Sequence, residues 1–142
     1  MRKGEECACT CVRRAARVVT QLYDEVFRPM GYRATQISIL EILAQLGPVT
    51  LTELAEKSVT DRTTLTRNLK LLHKKGVVCL EPGRDRRERK VCMTKRGMDV
   101  VKAAHPRWAA VQKRLMAQVG RSRFRRMSED LKWMVTAARR CC

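Results

Sequence analysis

Asp61-Arg62-Thr63-Thr64-Leu65-Thr66-Arg67-Asn68-Leu69-Lys70-Leu71-Leu72-His73-Lys74-Lys75-Gly76 is a helix with two faces of opposite character. Leu65, Leu69 and Leu72 recur at helical spacing and form one apolar stripe. Thr63, Thr66, Arg67, Lys70 and Lys74 are thereby thrown to the other side, which carries hydroxyls and cations and no carboxylate. Such a face suits a duplex groove. Arginine pairs in bidentate fashion with guanine, threonine meets a base edge or a thymine methyl, and lysine neutralises phosphate. The start is marked by Thr60 or Asp61 as N-cap and the end by Gly76.

Just upstream, Thr50-Leu51-Thr52-Glu53 has the form of a capping box, in which the threonine hydroxyl and the glutamate carboxylate each take the other residue's amide. It opens a short helix, Leu51 to Ser58. Only two or three residues separate it from the Asp61 helix, which is the helix-turn-helix arrangement.

Downstream, Val77 to Glu81 and Lys90 to Met93 alternate as strands, joined by Pro82-Gly83-Arg84-Asp85-Arg86-Arg87-Glu88-Arg89. This connection is too basic to pack inward and too short to fold alone, so it should project as a wing. Arg87 or Arg86 at its tip suits a narrow minor groove, with Asp85 holding the guanidinium by paired hydrogen bonds. Val78, Leu80, Val91 and Met93 are expected on the inner face of the hairpin. That alternation sets Cys79 and Cys92 together on the outer face, opposite one another and close enough for a disulfide. Oxidation of this pair is expected to distort the wing.

Elsewhere the helical period continues. Val12, Ala15, Val19, Leu22 and Val26 mark a first helix of about four turns, stopped near Pro29 and Gly31. Thr35 is read as the N-cap of a second helix that runs to Gly47. Met98, Val101, Trp108, Val111, Leu115 and Val119 mark a fifth, with a kink expected at Pro106. After Gly120 a sixth carries Phe124, Met127, Leu131, Met134 and Ala138. The first and last helices are too apolar along one stripe to be left in water, which predicts self-association.

The whole chain of 142 residues is long enough for one core, and its 31 Lys plus Arg against 14 Asp plus Glu give a formal charge of +17. An acidic partner is implied. Residues 60–96 hold twelve basic and four acidic side chains, a net of +8 in one short stretch. A second basic run, Arg121 to Arg126, is read as a solvated helix face. No apolar stretch reaches signal-peptide or spanning length, so a cytoplasmic protein without a membrane partner is expected. No Ser-His-Asp set, carboxylate pair or Gly-rich phosphate loop appears at usable spacing, so the sequence does not read as an enzyme.

The chain resembles the MarR family of bacterial regulators. The resemblance rests on the helix Asp61-Arg62-Thr63-Thr64-Leu65-Thr66-Arg67-Asn68-Leu69, on Gly76-Val77-Val78, on Asp85 and Arg87 of the wing, and on Met93-Thr94-Lys95-Arg96-Gly97. It extends from about Val12 to Ala138. The fold class it implies is mainly α, a winged helix-turn-helix with a small β-hairpin wing and a helical dimerisation region. Residues 1–34 and 96–142 would form the dimerisation region and residues 35–95 the DNA-binding lobe. An obligate homodimer on a palindromic operator of roughly 16 to 20 base pairs is implied, with half-sites about one helical turn apart. DNA contacts are expected from Arg62, Thr63, Thr64, Thr66, Arg67, Lys70, Arg84, Asp85, Arg86 and Arg87. Members of the family usually repress transcription and let go when an effector binds or a thiol oxidises.

The family pattern leaves the terminal cysteines unexplained. Cys7, Cys9 and Cys11 at one end and Cys141 and Cys142 at the other bring five soft ligands that suit a thiophilic metal ion or an oxidation switch. With Cys79 and Cys92 they are the candidate sensing thiols, and no cofactor is otherwise required. A chain without an export signal argues against a structural disulfide framework. The rival reading is a thiol-rich metal-handling protein whose basic helix only stabilises a fold.

Overall fold

A computed structural model describes residues 7–83 and 89–141. Its elements are α1 (Ala8–Phe27), a 3-10 turn (Arg28–Met30), α2 (Ala34–Leu46), β1 (Val49–Thr50), α3 (Leu51–Ser58), α4 (Arg62–Lys74), β2 (Val78–Pro82), β3 (Arg89–Met93), α5 (Lys95–Val119) and α6 (Arg121–Arg140). The chain divides into two compact units, residues 1–107 and 108–142, with the boundary inside α5.

Local signals set most of these bounds. The Thr50 hydroxyl accepts the Glu53 amide at 3.2 Å, and the Glu53 carboxylate accepts the Thr50 amide at 2.8 Å, so α3 starts where the sequence placed it. Asp61 caps α4 by accepting the Thr64 amide at 2.8 Å. At the far end of α4, Gly76 sits at φ 68°, in the left-handed region that favours glycine. Its amide donates to the His73 carbonyl and that of Val77 to the Leu72 carbonyl, which closes a Schellman motif.

Other bounds depend on contacts far apart in sequence. Helix α1 starts at Ala8 and has 20 residues, longer than its apolar stripe suggests. Helix α2 starts at Ala34 with Arg33 as N-cap, one to two residues before the expected Thr35 cap. Its first turn is capped from a distance, because the Asp24 carboxylate of α1 accepts the Ala34 amide at 2.7 Å. Helix α5 continues through Pro106 as one element.

The core of the first unit joins Phe27, Ile39, Leu40, Leu43, Leu54, Leu65, Leu72, Val77, Val91, Val101 and Ala104, among others. Each large aliphatic side chain so buried contributes about 1.5–3 kcal/mol relative to exposure. The three strands form an antiparallel sheet in the order β1-β3-β2. Val78 pairs with Met93, Cys79 with Cys92, Leu80 with Val91, Glu81 with Lys90 and Pro82 with Arg89. Strand β1 adds Val49 opposite Val91 and Thr50 opposite Lys90. In the second unit Val111 is buried. Among the described residues of α6, no side chain is buried.

Candidate nucleic-acid interface

Helix α4 is fixed at both ends and along its core side. Leu65, Leu69 and Leu72 are buried. Three residues, Val59-Thr60-Asp61, turn the chain from α3 into α4, and Val59 takes φ 51°, a left-handed conformation that costs a β-branched residue about 1–2 kcal/mol. At the C-terminal end the Lys75 ammonium lies 4.2 Å from the Tyr32 ring centroid and also donates to the Gly31 carbonyl, tying α4 to the turn after α1.

The opposite side of α4 is open. Thr63, Thr64, Arg67, Lys70 and Lys74 are exposed. Two of the expected contact residues have partners within the lobe. The Thr66 hydroxyl, half-buried, donates to the Arg62 carbonyl at 2.7 Å, and the Arg62 guanidinium donates to the Thr52 hydroxyl at 3.3 Å. Asp61 is the carboxylate nearest this face in sequence. It is engaged as a cap, and the Thr64 side-chain and backbone hydrogen bonds hold it below the ordinary carboxylate pKa.

The hairpin is anchored to the end of α4. The Thr94 hydroxyl donates to the Gly76 carbonyl at 2.8 Å and accepts the Gly97 amide at 3.1 Å, so one side chain caps α5 and clamps the turn that leaves α4. Gly97 is buried against Val77, and a Cβ there would collide with the Val77 carbonyl and the Met93 side chain. This accounts for Thr94 and Gly97 at the base of the wing. Between α4 and the sheet lies a cavity of about 360 Å³, lined by Leu69, Val78, Leu80 and Val91, with Thr66, Lys70 and Arg89 among its other walls.

A model of the MarR family matches residues 33–88, which takes in α2 through β2 and stops just before β3. The chain is 38% identical to the M. tuberculosis transcriptional regulator MosR in its crystal structure in complex with DNA, over 96% of this chain and 98% of that one, with a TM-score of 0.87. A second crystal structure of MosR gives 35% identity over 96% and 98% of the two chains, with a TM-score of 0.85. The chain belongs to the MarR family. The uncharacterized HTH-type transcriptional regulator YwoH of Bacillus subtilis (strain 168) is 32% identical over 84 residues. That match spans 59% of this chain and 61% of the Bacillus protein.

In this MarR-family chain the winged helix-turn-helix is therefore α3, α4 and the β2-β3 hairpin. Arg84, Asp85, Arg86 and Arg87, the wing-tip contacts expected from the sequence, lie outside the described residues.

The cysteine pair in the hairpin departs from expectation in one respect and meets it in another. Cys79 and Cys92 are directly opposite in register, 5.1 Å apart at Cα, and joined as a disulfide. Yet Cys92 is only 3% exposed, and the inner-face assignment is uneven. Val78, Leu80 and Val91 all line the cavity beside α4, but Leu80 remains 47% exposed and Met93 is half-buried. A third strand, β1, which the two-strand hairpin did not include, flanks the far edge of β3 and makes β3 central. The β2-β3 pairing is continuous across the disulfide.

Of the terminal thiols, Cys7, Cys9 and Cys141 are exposed and Cys11 is half-buried, while Cys142 lies outside the described residues. Hydrogen bonds from the Thr10 amide and then its hydroxyl lower the Cys7 pKa, which favours its thiolate. Sequence reading missed Glu81. Its carboxylate and the Cys79 and Cys92 sulfurs all lie within 4.8 Å of one another. Among the described residues, no helix is long and apolar enough to cross a membrane.

Proposed function

We propose that this chain is a transcription regulator that binds a palindromic double-stranded DNA operator as a homodimer, acts as a repressor, and lets go in response to a small effector, a metal or thiol oxidation. The observation that carries the DNA reading is the open face of α4, where Thr63, Arg67, Lys70 and Lys74 are presented without a competing carboxylate on a helix held at both ends. Thr63, Arg67 and Lys70 would meet the major groove, with Thr64, Thr66 and Arg62 at its margin. Arg87 or Arg86 would enter the minor groove, with Arg84 and Asp85 supporting the wing. Crystal structures of MosR and of S. aureus MepR in complex with DNA support the reading by fold, the second at 18% identity.

The dimer reading rests on apolar side chains left in water. Val18 on α1 is 66% exposed, and on α6 Met127, Leu131 and Met134 form a partly exposed stripe at helical spacing, with Trp133, 73% exposed, on another side of the helix. A second copy presenting the same helices would cover them. Among release signals, thiol oxidation draws support from the Cys79-Cys92 pairing at the base of the wing.

Titration of labelled duplexes by fluorescence anisotropy tests the reading. Operator and random DNA should both bind, with affinity falling steeply as salt rises. Arg67→Ala should cost about 1–3 kcal/mol on operator and less on random DNA, whereas Arg87→Ala should weaken both alike. Equal losses for Arg67→Ala on the two duplexes would remove it from the base-reading set. No binding to any duplex would favour the metal-handling alternative.

A further inference from the structure

The hairpin places three ligands of suitable chemistry at one point. Cys79 and Glu81 are two apart on β2 and so share a face, and Cys92 stands across from Cys79 on β3. The long Glu81 side chain reaches diagonally to the same point. We propose that, when the two thiols are reduced, Cys79, Cys92 and Glu81 form a binding site for a thiophilic divalent cation of the Zn²⁺ or Cd²⁺ class. The site stands on strand geometry alone and does not depend on the DNA-binding reading.

Several observations support it. The three ligand atoms lie within 4.8 Å of one another. A tetrahedral ion with metal–sulfur bonds of about 2.3 Å spaces two sulfurs about 3.8 Å apart, so rotation of the side chains suffices to open the pair around it. The backbone need not move, because the register already holds the two Cα atoms 5.1 Å apart. Cys92 is buried, Cys79 is half-buried and Glu81 is exposed, which gives the ion a dry side and one open approach for itself and a water ligand. Two thiolates select a soft or borderline ion over Mg²⁺ or Ca²⁺. The complex of two thiolates, one carboxylate and a divalent ion has a charge of −1, and Lys90, opposite Glu81, is placed to offset it.

The chemistry balances without further components. A cellular dithiol supplies two electrons and two protons to open the disulfide, becoming a disulfide itself. Cation binding then breaks two S–H bonds, releases two protons to solvent and forms two metal–sulfur bonds. Metal and disulfide are mutually exclusive occupants of one position, and each fastens the same two strands beneath the wing.

The test uses the full chain with Cys7, Cys9, Cys11, Cys141 and Cys142 changed to serine, reduced with a phosphine, freed of reductant without air and titrated with Cd²⁺. About one Cd²⁺ per chain should bind, with thiolate-to-metal charge-transfer absorption and about two protons released. Bound Cd²⁺ should protect both wing cysteines from alkylation, and protein oxidised to the disulfide should bind none. Glu81→Gln should weaken binding at least about tenfold. Far-ultraviolet circular dichroism shows whether each variant is folded. Absence of the absorption in folded, reduced protein would overturn the site, as would unchanged Cd²⁺ binding after Cys79→Ser and Cys92→Ser. Unchanged affinity in Glu81→Gln would overturn the three-ligand site.

Discussion

Leu65 on α4 and Leu131 on α6 are the same side chain on two amphipathic helices, with opposite outcomes. Leu65 is fully buried, enclosed with Leu54, Leu72 and Val77 in one core, whereas Leu131 is 43% exposed on a helix with no buried residue. The winged lobe completes its own interior. The apolar stripe of α6 has the periodicity of a packed helix but is left partly exposed by its own chain. The difference separates what a single chain stabilises from what a second copy would stabilise.

The largest effect expected from this contrast is the loss of a core side chain. Leu65→Ala should cost about 2–5 kcal/mol in urea unfolding, at any protein concentration, because the cavity lies inside one chain. Leu131→Ala should cost little in dilute protein and instead weaken self-association, read by sedimentation equilibrium. An equal, concentration-independent loss for both would break the comparison and place α6 inside its own chain's core.

Next in size is Gly97→Ala. The added methyl would meet a backbone carbonyl, Val77, rather than the end of a flexible side chain, so the neighbour cannot simply move aside. A loss of about 1–3 kcal/mol is expected in the same unfolding assay, the scale of overpacking a tight contact. A neutral result would mean that the join between α4, the hairpin and α5 has more freedom than the lobe's packing implies.

Much of the lobe was legible because its signals are local. Thr50 and Glu53, Asp61 and Thr64, and Leu65, Leu69 and Leu72 all interact within a turn or two, so spacing alone places them. What remained hidden depends on distant partners. Nothing near Ala34 announces that Asp24 will cap α2, and nothing in Lys75 points to Tyr32. Two residues, Val49 and Thr50, are too short a strand to show alternation, yet they make β3 the central strand. Within the candidate site, the exposed Thr63, Arg67 and Lys70 followed from the Leu65 stripe. The engagement of Thr66 and Arg62 within the lobe did not, because hydrogen bonds to Arg62 and Thr52 leave no trace in periodicity. Glu81 was missed for a related reason, since the reach of its side chain to the Cys79 and Cys92 sulfurs across the strands is not visible in alternation.

The smallest predicted effect sharpens the comparison at the helix starts. Helix α4 begins at Asp61, whose carboxylate accepts the Thr64 amide, while α6 begins at Gly120 without a side-chain cap. The Thr64 hydrogen bonds lower the Asp61 pKa in the folded state. Its contribution is therefore present above the unfolded value, about 3.9, and is lost as pH falls through the lowered folded value. Asp61→Asn keeps an acceptor for the same amide but does not titrate there. Because Glu53, whose pKa is also lowered, titrates in both proteins, it cancels in the difference. The stability of the wild type relative to Asp61→Asn should fall as pH drops below the carboxylate range, measured by urea midpoints across the acid limb. A difference flat in pH would mean that the Asp61 charge adds nothing to the cap. The start of α4 would then owe its stability to the packing of Leu65 and to the Arg62–Thr52 contact.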